Sequence, residues 1–258
     1  MILTLDVGNT NIKVGAWDGE ELAFVSRLQT NTLRTGDEYA ISLLDIFRLN
    51  ECGSEQFDGA IISSVVPQLS LVLKEAVLAV IHTRRVYIVS PGLRTGLDIK
   101  IDNPATLGSD MVCAAVAAIK SYKLPCIIVS MGTATAIFAI NSGGEFMGGS
   151  VSPGVAISLD ALARHTAQLP HISLESPGAV IGTNTIDSMK SGIIYGTAAM
   201  LDGIIARMKT KLGGEATVVA CGGLAQFIVG HCNESITVND QLVLEGLRLI
   251  YEKNSRQK

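Results

Sequence analysis

Leu5-Asp6-Val7-Gly8-Asn9-Thr10 recurs 124 positions later as Val129-Ser130-Met131-Gly132-Thr133-Ala134, and this pair decides the fold class. With no gap inserted, Asp18-Gly19-Glu20-Glu21-Leu22 then falls on Ser142-Gly143-Gly144-Glu145-Phe146. Each copy reads as a buried strand, a glycine turn, a second strand and a glycine-containing hairpin turn. A repeat at this spacing implies two similar α/β lobes. Identity between the copies is low, so chance similarity is the competing reading.

Working outward, strands alternate with helices. Strands are predicted over 58–64, 86–89 and 217–220, and helices over 69–82, 109–122, 157–165, 189–211 and 242–251. Apolar strands interleaved with helices argue for sheets covered by helices. Gly192, Gly196 and Gly203 in the long helix are expected to permit close backbone packing. The predicted division falls just before the second repeat, giving lobes 1–122 and 123–258.

The chain has 258 residues, 48% of them hydrophobic, and a mean hydropathy of +0.38. That value demands a test for membrane helices, which need about 20 apolar residues in a row. The apolar runs at 2–5, 60–66, 126–129 and 218–220 are only strand-length, so a large buried core is expected and no membrane partner. A net charge of −4 without a basic block argues against nucleic acid. Met1-Ile2-Leu3-Thr4-Leu5 runs into Asp6 with no basic leader, and five cysteines form no CxxC or Cys/His ligand spacing. Three of them sit in apolar surroundings, and a reducing cytoplasm fits best. The four histidines are scattered and suggest no triad or metal site.

Six stretches can carry chemistry. In Asp6-Val7-Gly8-Asn9-Thr10-Asn11, the glycine lets backbone N–H groups approach a phosphate, and the three polar residues add donors. An Asp at the strand end can hold Mg²⁺ through water. The alternative is an ordinary polar hairpin. Gly132-Thr133-Ala134-Thr135 in the second half strengthens the phosphate reading, since a pair of such turns suits one nucleotide tail. No GxxxxGK[ST] is present, which excludes a standard P-loop. In Gly108-Ser109-Asp110, either Ser109 or Asp110 caps a helix, or Asp110 accepts a substrate hydroxyl proton. Gly148-Gly149-Ser150-Val151-Ser152-Pro153-Gly154 suits either an anion-facing helix start or a plain connection. Thr185 reads as a cap or a ligand-facing hydroxyl, and Gly222-Gly223 as a bed for adenosine or a simple turn.

In this order the stretches resemble the type III pantothenate kinases of the actin/Hsp70/sugar-kinase superfamily, over most of the chain from Asp6 to about Gly223. The resemblance implies two ribonuclease-H-like lobes with mixed sheets flanked by helices. It also implies ATP-dependent phosphorylation of pantothenate, the first step of coenzyme A synthesis, by a homodimer. By position, Asp6 through Lys13 (Asp6, Val7, Gly8, Asn9, Thr10, Asn11, Ile12, Lys13) resembles the first phosphate motif, with Asp6 near Mg²⁺. Gly132 and Thr133 resemble the second phosphate motif, and Gly222 and Gly223 the adenosine motif. Gly108, Ser109, Asp110 and Met111 fall on the Gly-x-Asp-Arg substrate motif, making Asp110 the candidate general base. Thr185 resembles the residue that reaches pantothenate from the partner subunit.

Three positions depart from the family pattern. Ser130 stands where the family has an Asp associated with a monovalent cation such as K⁺ or NH₄⁺. Met111 replaces the Arg, removing a bidentate grip on a carboxylate. Ile101 stands where a Tyr or similar residue often precedes Asp-Asn-Pro. These departures keep two other readings open: a nucleotide-binding relative that has lost the reaction, and a kinase of another small hydroxylated substrate.

Overall fold

The computed structural model describes residues 1–255. In chain order the elements are β1 Ile2–Val7, β2 Asn11–Asp18, β3 Glu21–Gln29, α1 Gly36–Leu49, β4 Gly59–Ser64, α2 Pro67–Val80, β5 Val86–Ile88, β6 Asp98–Ile99 and α3 Ser109–Ser121. They continue as β7 Cys126–Met131, β8 Ala134–Ile140, β9 Glu145–Pro153, α4 Val155–His165, α5 Thr185–Leu212, β10 Thr217–Cys221, α6 Ala225–Ile228, β11 Thr237–Val238 and α7 Leu242–Ser255.

The strands form two sheets, ordered β3-β2-β1-β4-β5 and β11-β10-β7-β8-β9-β6. In the first, β1 pairs antiparallel with β2 and parallel with β4. In the second, β7 pairs antiparallel with β8 and parallel with β10. Five strands of the second sheet therefore repeat the first in order and direction, as the recurrence at Asp6 and Ser130 predicts. Even the register irregularities correspond within one residue, at Ala16/Trp17 and at Ala139/Ile140.

Two compact units result. The first comprises 1–97, 103–117 and 242–258, the second 98–102 and 118–241. A single cut at 122/123 does not reproduce this division, for two physical reasons. Strand β6 adds to the edge of β9 and the Lys100 N–H donates to the Phe146 carbonyl at 2.8 Å, which ties 98–102 to the second unit. Helix α7, the last in sequence, returns to cover β1 and β4 of the first.

In the first unit, β1 is buried on both faces. Tyr39, Leu43 and Phe47 of α1 and Leu69, Leu73 and Val77 of α2 share a core with Leu3, Leu5 and Val7. Helix α1 was not foreseen, although Thr35 and Glu38 form a capping box at its start. Against Thr4, Gly15 and Trp17 lies α7, where the Arg248 guanidinium sits 5.2 Å from the Trp17 ring centre and donates to Glu252. Burying that cation is tolerable because ring and carboxylate replace its water.

Helix α7 also touches α3 backbone to backbone at Gly246, where a Cβ would overlap the Cys113 carbonyl. Gly246→Ala is therefore expected to lower stability by about 3 kcal/mol, read as a fall in denaturant midpoint, because main chain cannot rotate away.

The second unit buries Ile194, Ala198, Leu201 and Ile205 of α5 against Val129, Met131, Val218 and Ala220. The expectation that the α5 glycines permit close packing fails. Gly192 and Gly196 have no neighbour within 4 Å of a would-be Cβ, and Gly203 meets only the tip of Arg207. Helix α5 also begins four residues before the predicted start.

All five cysteines are free, with Cys113, Cys126 and Cys221 buried. Among the described residues no helix is long and apolar enough to cross a membrane. The high mean hydropathy reflects two sheet cores instead.

Candidate functional site

Strand β1 ends in a tight turn. The Gly8 N–H donates to the Asn11 carbonyl at 3.0 Å, and a Cβ at Gly8 would come within 3.1 Å of that oxygen. Thr30 of the neighbouring loop donates its hydroxyl to the Gly8 carbonyl at 2.7 Å. The turn thus holds Asn9, Thr10 and Asn11 exposed. Val7 and Ile12 are fully buried in the core, so only their main-chain groups are available to a ligand.

Asp6 lies opposite Lys13 on β2 and Ser63 on β4. Burial, and then the negative charge of Asp110, push its carboxyl up to about 7, with only Lys13 opposing. Asp110 stands in the first turn of α3. Its own carboxyl is pushed up by burial and held back by the Met111 N–H, which donates to Oδ1 at 2.8 Å. Gly108 leaves room for this carboxylate, since a Cβ there would lie 2.5 Å from Asp110 Oδ1.

The helix begins at Ser109, and the Gly108 carbonyl accepts from the Val112 N–H. Neither Ser109 nor Asp110 is therefore the cap that local sequence allowed. The Ser109 hydroxyl bonds instead to Ser63 and to both main-chain groups of Ser64. Met111 is buried, 6% exposed. It puts an apolar side chain next to Asp110, where the family pattern has a guanidinium.

In the second unit a glycine turn one residue shorter stands at the matching place, with the Gly132 N–H donating to the Ala134 carbonyl at 3.0 Å. Ser130 takes the place Asp6 has in the first sheet, pairing with Cys221 on β10 and Ala136 on β8. Two further glycines crowd this end. Gly222 has φ +101°, and a Cβ there would overlap the Met131 carbonyl. Gly154, at the start of α4, would collide with the carbonyls of Gly132 and Thr133. Space remains open over Gly223 and almost so over Gly132, whose nearest neighbour to a Cβ is the Ala134 carbonyl at 3.9 Å. Ser130, Gly132, Thr133, Gly154, Gly222 and Gly223 are thus gathered at one end of the second sheet. The importance of Gly154 was legible only as a loop glycine before a helix.

Thr185 is elsewhere in that unit, exposed in the first turn of α5. The cap is Asn184, whose Oδ1 accepts from the Asp187 N–H at 2.9 Å. The Thr185 hydroxyl is thereby left for other partners. It lines an open groove of about 690 Å³ with Leu162, Leu169, Thr183, Ser188 and Met189.

The residues present fit a nucleotide and a divalent cation. Asp6 and Asp110 form a buried, under-compensated negative pair of hard oxygen donors, which a divalent cation would neutralise. The glycines at 132 and 223 leave backbone uncovered, as close approach of a phosphate or a flat base requires.

Comparison with known proteins identifies the family. The family model for type III pantothenate kinase matches residues 2–207. A type III pantothenate kinase of Exiguobacterium sp. is 45% identical over 99% of this chain and 100% of its own length. That of Halalkalibacterium halodurans is 44% identical over 98% and 100%. Among solved structures, the activator of 2-hydroxyisocaproyl-CoA dehydratase from Clostridium difficile, with bound ADPNP, superposes with a TM-score of 0.56. That pair shares 12% identity over 100% of this chain and 98% of the other, a likeness of fold alone. On the family model and on these full-length relatives, this chain belongs to the type III pantothenate kinase family.

Proposed function

We propose that this protein transfers the terminal phosphoryl group of ATP to the primary hydroxyl of pantothenate, giving 4′-phosphopantothenate at the head of coenzyme A synthesis. The observation that carries this reading is the pairing of Asp6 and Asp110, brought together by β1 and α3 in a chain of this family.

Asp110 accepts the hydroxyl proton. Burial raises its basicity above that of an ordinary carboxylate, which favours proton abstraction near neutral pH. The Met111 N–H fixes one carboxylate oxygen and leaves the other to face the substrate. Asn9, Thr10, Asn11 and the Gly8 N–H surroundings hold phosphate oxygens, as do Gly132 and Thr133. Gly222 and Gly223 lie under the adenosine. Asp6 would hold a divalent cation such as Mg²⁺, which when bound would supply charge neutralisation on the phosphates. Positioning and electrostatics account for most of the acceleration expected in such a transfer.

Ser130 offers a hydroxyl where the family carries a carboxylate, so a bound monovalent cation is not part of the proposed reaction. Pantothenate-dependent ADP release is expected at the same rate in potassium and in sodium salts. Release only in potassium would place the cation back in the mechanism. ATP binding without pantothenate-dependent release would favour the non-catalytic reading that Met111 and Ser130 keep open.

The active species is a homodimer in which Thr185 reaches the partner's pantothenate. Exposed Ile157, Val180, Ile181 and Ile186, and the uncovered Gly192 and Gly196 of α5, support this assignment. Light scattering is expected to give a dimer, and Gly192→Glu, which puts a charge on that face, a monomer with reduced turnover. A monomeric wild-type protein that turns over fully would remove the dimer from the account.

A further inference from the structure

We propose that Ser63, at the end of β4, is a positioning residue that seats the general base, by locking the first turn of α3 through Ser109. The inference rests on the reading of Asp110 as that base. Ser63 is fully buried and pairs in parallel register with Asp6. Side chains at paired positions of adjacent strands share a face, so Ser63 stands beside the Asp6 carboxylate. From there its hydroxyl oxygen lies 2.9 Å from that of Ser109.

Counting protons gives this contact a direction. A serine hydroxyl has one hydrogen and two lone pairs. Ser109 Oγ donates to the Ser64 carbonyl at 3.1 Å and accepts from the Ser64 N–H at 3.0 Å. Its hydrogen is committed, so in the contact with Ser63 it must accept, and Ser63 must donate. The Ser109 hydroxyl is then saturated and is not available to substrate. Ser63 keeps lone pairs for one more donor.

The result is a directional chain from the Ser63 O–H to the Ser109 O–H and on to the Ser64 carbonyl. Ser109 and Cys113 are four residues apart and so lie on one face of α3. The helix is thus held at Ser109 by Ser63 and Ser64 and backed at Cys113 by α7, two points that bracket Asp110. From α7, Gly246 presses on the Cys113 carbonyl, which prevents the helix from backing away. Displacing a catalytic group by about 1 Å can cost about 100-fold in rate, and this clasp is what resists such a displacement.

The test uses full-length protein and pantothenate-dependent ADP release, normalised to sites that bind ATP. Ser63→Ala is expected to lower kcat by about 10–50-fold with the KM for ATP unchanged. Ser109→Ala, on the helix surface, should reproduce the loss should Ser63→Ala fail to fold, and Ser109→Thr, which keeps the hydroxyl, should restore most of kcat. In an Asp110→Ala background, Ser63→Ala should cause no further fall, because its effect runs through the carboxylate. A role confined to stability would leave normalised kcat intact, and that result overturns the proposal. So would additivity with Asp110→Ala. If Asp110→Ala itself keeps full activity, the base assignment fails first and independently.

Discussion

Asp110→Ala is expected to lower kcat for pantothenate phosphorylation by about 10³-fold while the Kd for ATP stays within about twofold of the parent. The carboxylate is the group placed to take the hydroxyl proton, and a positioned base contributes on this scale. Its removal does little to the scaffold. The hydrogen bonds lost come from the N–H groups of Met111 and of Asp110 itself, first-turn amides that water can serve. Asp110→Asn should fall as far, since the amide keeps the shape but has no basic oxygen to spare. Removing the charge also withdraws one of the two influences that raise Asp6, so Asp6 should titrate closer to an ordinary carboxyl. Single-turnover kinetics with ATP titration checks both halves. A variant with near-parental kcat would mean that Asp110 is not the base.

Asp6→Asn should have two effects of opposite sign. Turnover is expected to fall at least about 100-fold, because the oxygen that orders the divalent ion is lost. The ligand-free protein should nevertheless become more stable at alkaline pH. The Asp6 carboxyl stands at about 7 in the folded chain against 3.8 ordinarily, so the folded state binds this proton more tightly than the unfolded state does. The parent's stability therefore falls as pH rises from about 4 to 7 and stays reduced above that. At about 1.4 kcal/mol per pKa unit, and allowing for partial screening, Asp6→Asn should gain on the order of 2–4 kcal/mol at pH 8.5. At pH 5 the parent carboxyl is already protonated and the gain should nearly vanish. Thermal melts at the two pH values, without nucleotide or metal, decide it. A variant less stable than the parent at pH 8.5 would show that Asp6 is not an uncompensated buried charge.

The legible and the illegible parts of this protein separate by the range of the interactions involved. The recurrence of Asp6–Thr10 at Ser130–Ala134 is local in each copy, and it carried the two sheets, their hairpins and both phosphate turns. Strand and helix bounds set by one residue's chemistry also came close, as at Pro67, which opens α2. Contacts distant in sequence did not read out. Nothing near Leu242 says that α7 belongs with β1, or that Gly246 presses on Cys113. Close packing at the α5 glycines fails because sequence alone does not say which face of a helix meets a neighbour, and Gly192 and Gly196 stay open within the chain. At the proposed site, Asp6, Asp110 and the glycine turns are assigned from motif chemistry. Ser63 has no such signal, because its role depends on a parallel pairing with Asp6 and a helix that starts 46 residues later. The one signal available was a Ser63-Ser64 pair closing an apolar strand before Pro67, which says little alone.

Ser130 and Met111 make the reaction itself the point most exposed to refutation. The most direct measurement is the mass of the product formed from pantothenate and Mg-ATP by the wild-type protein, followed over time beside Asp110→Ala. The account predicts pantothenate carrying one added phosphoryl group, formed in step with ADP and absent with the variant. Bound ATP with unmodified pantothenate would contradict it, and would leave a member of the family that keeps the nucleotide turns without the transfer.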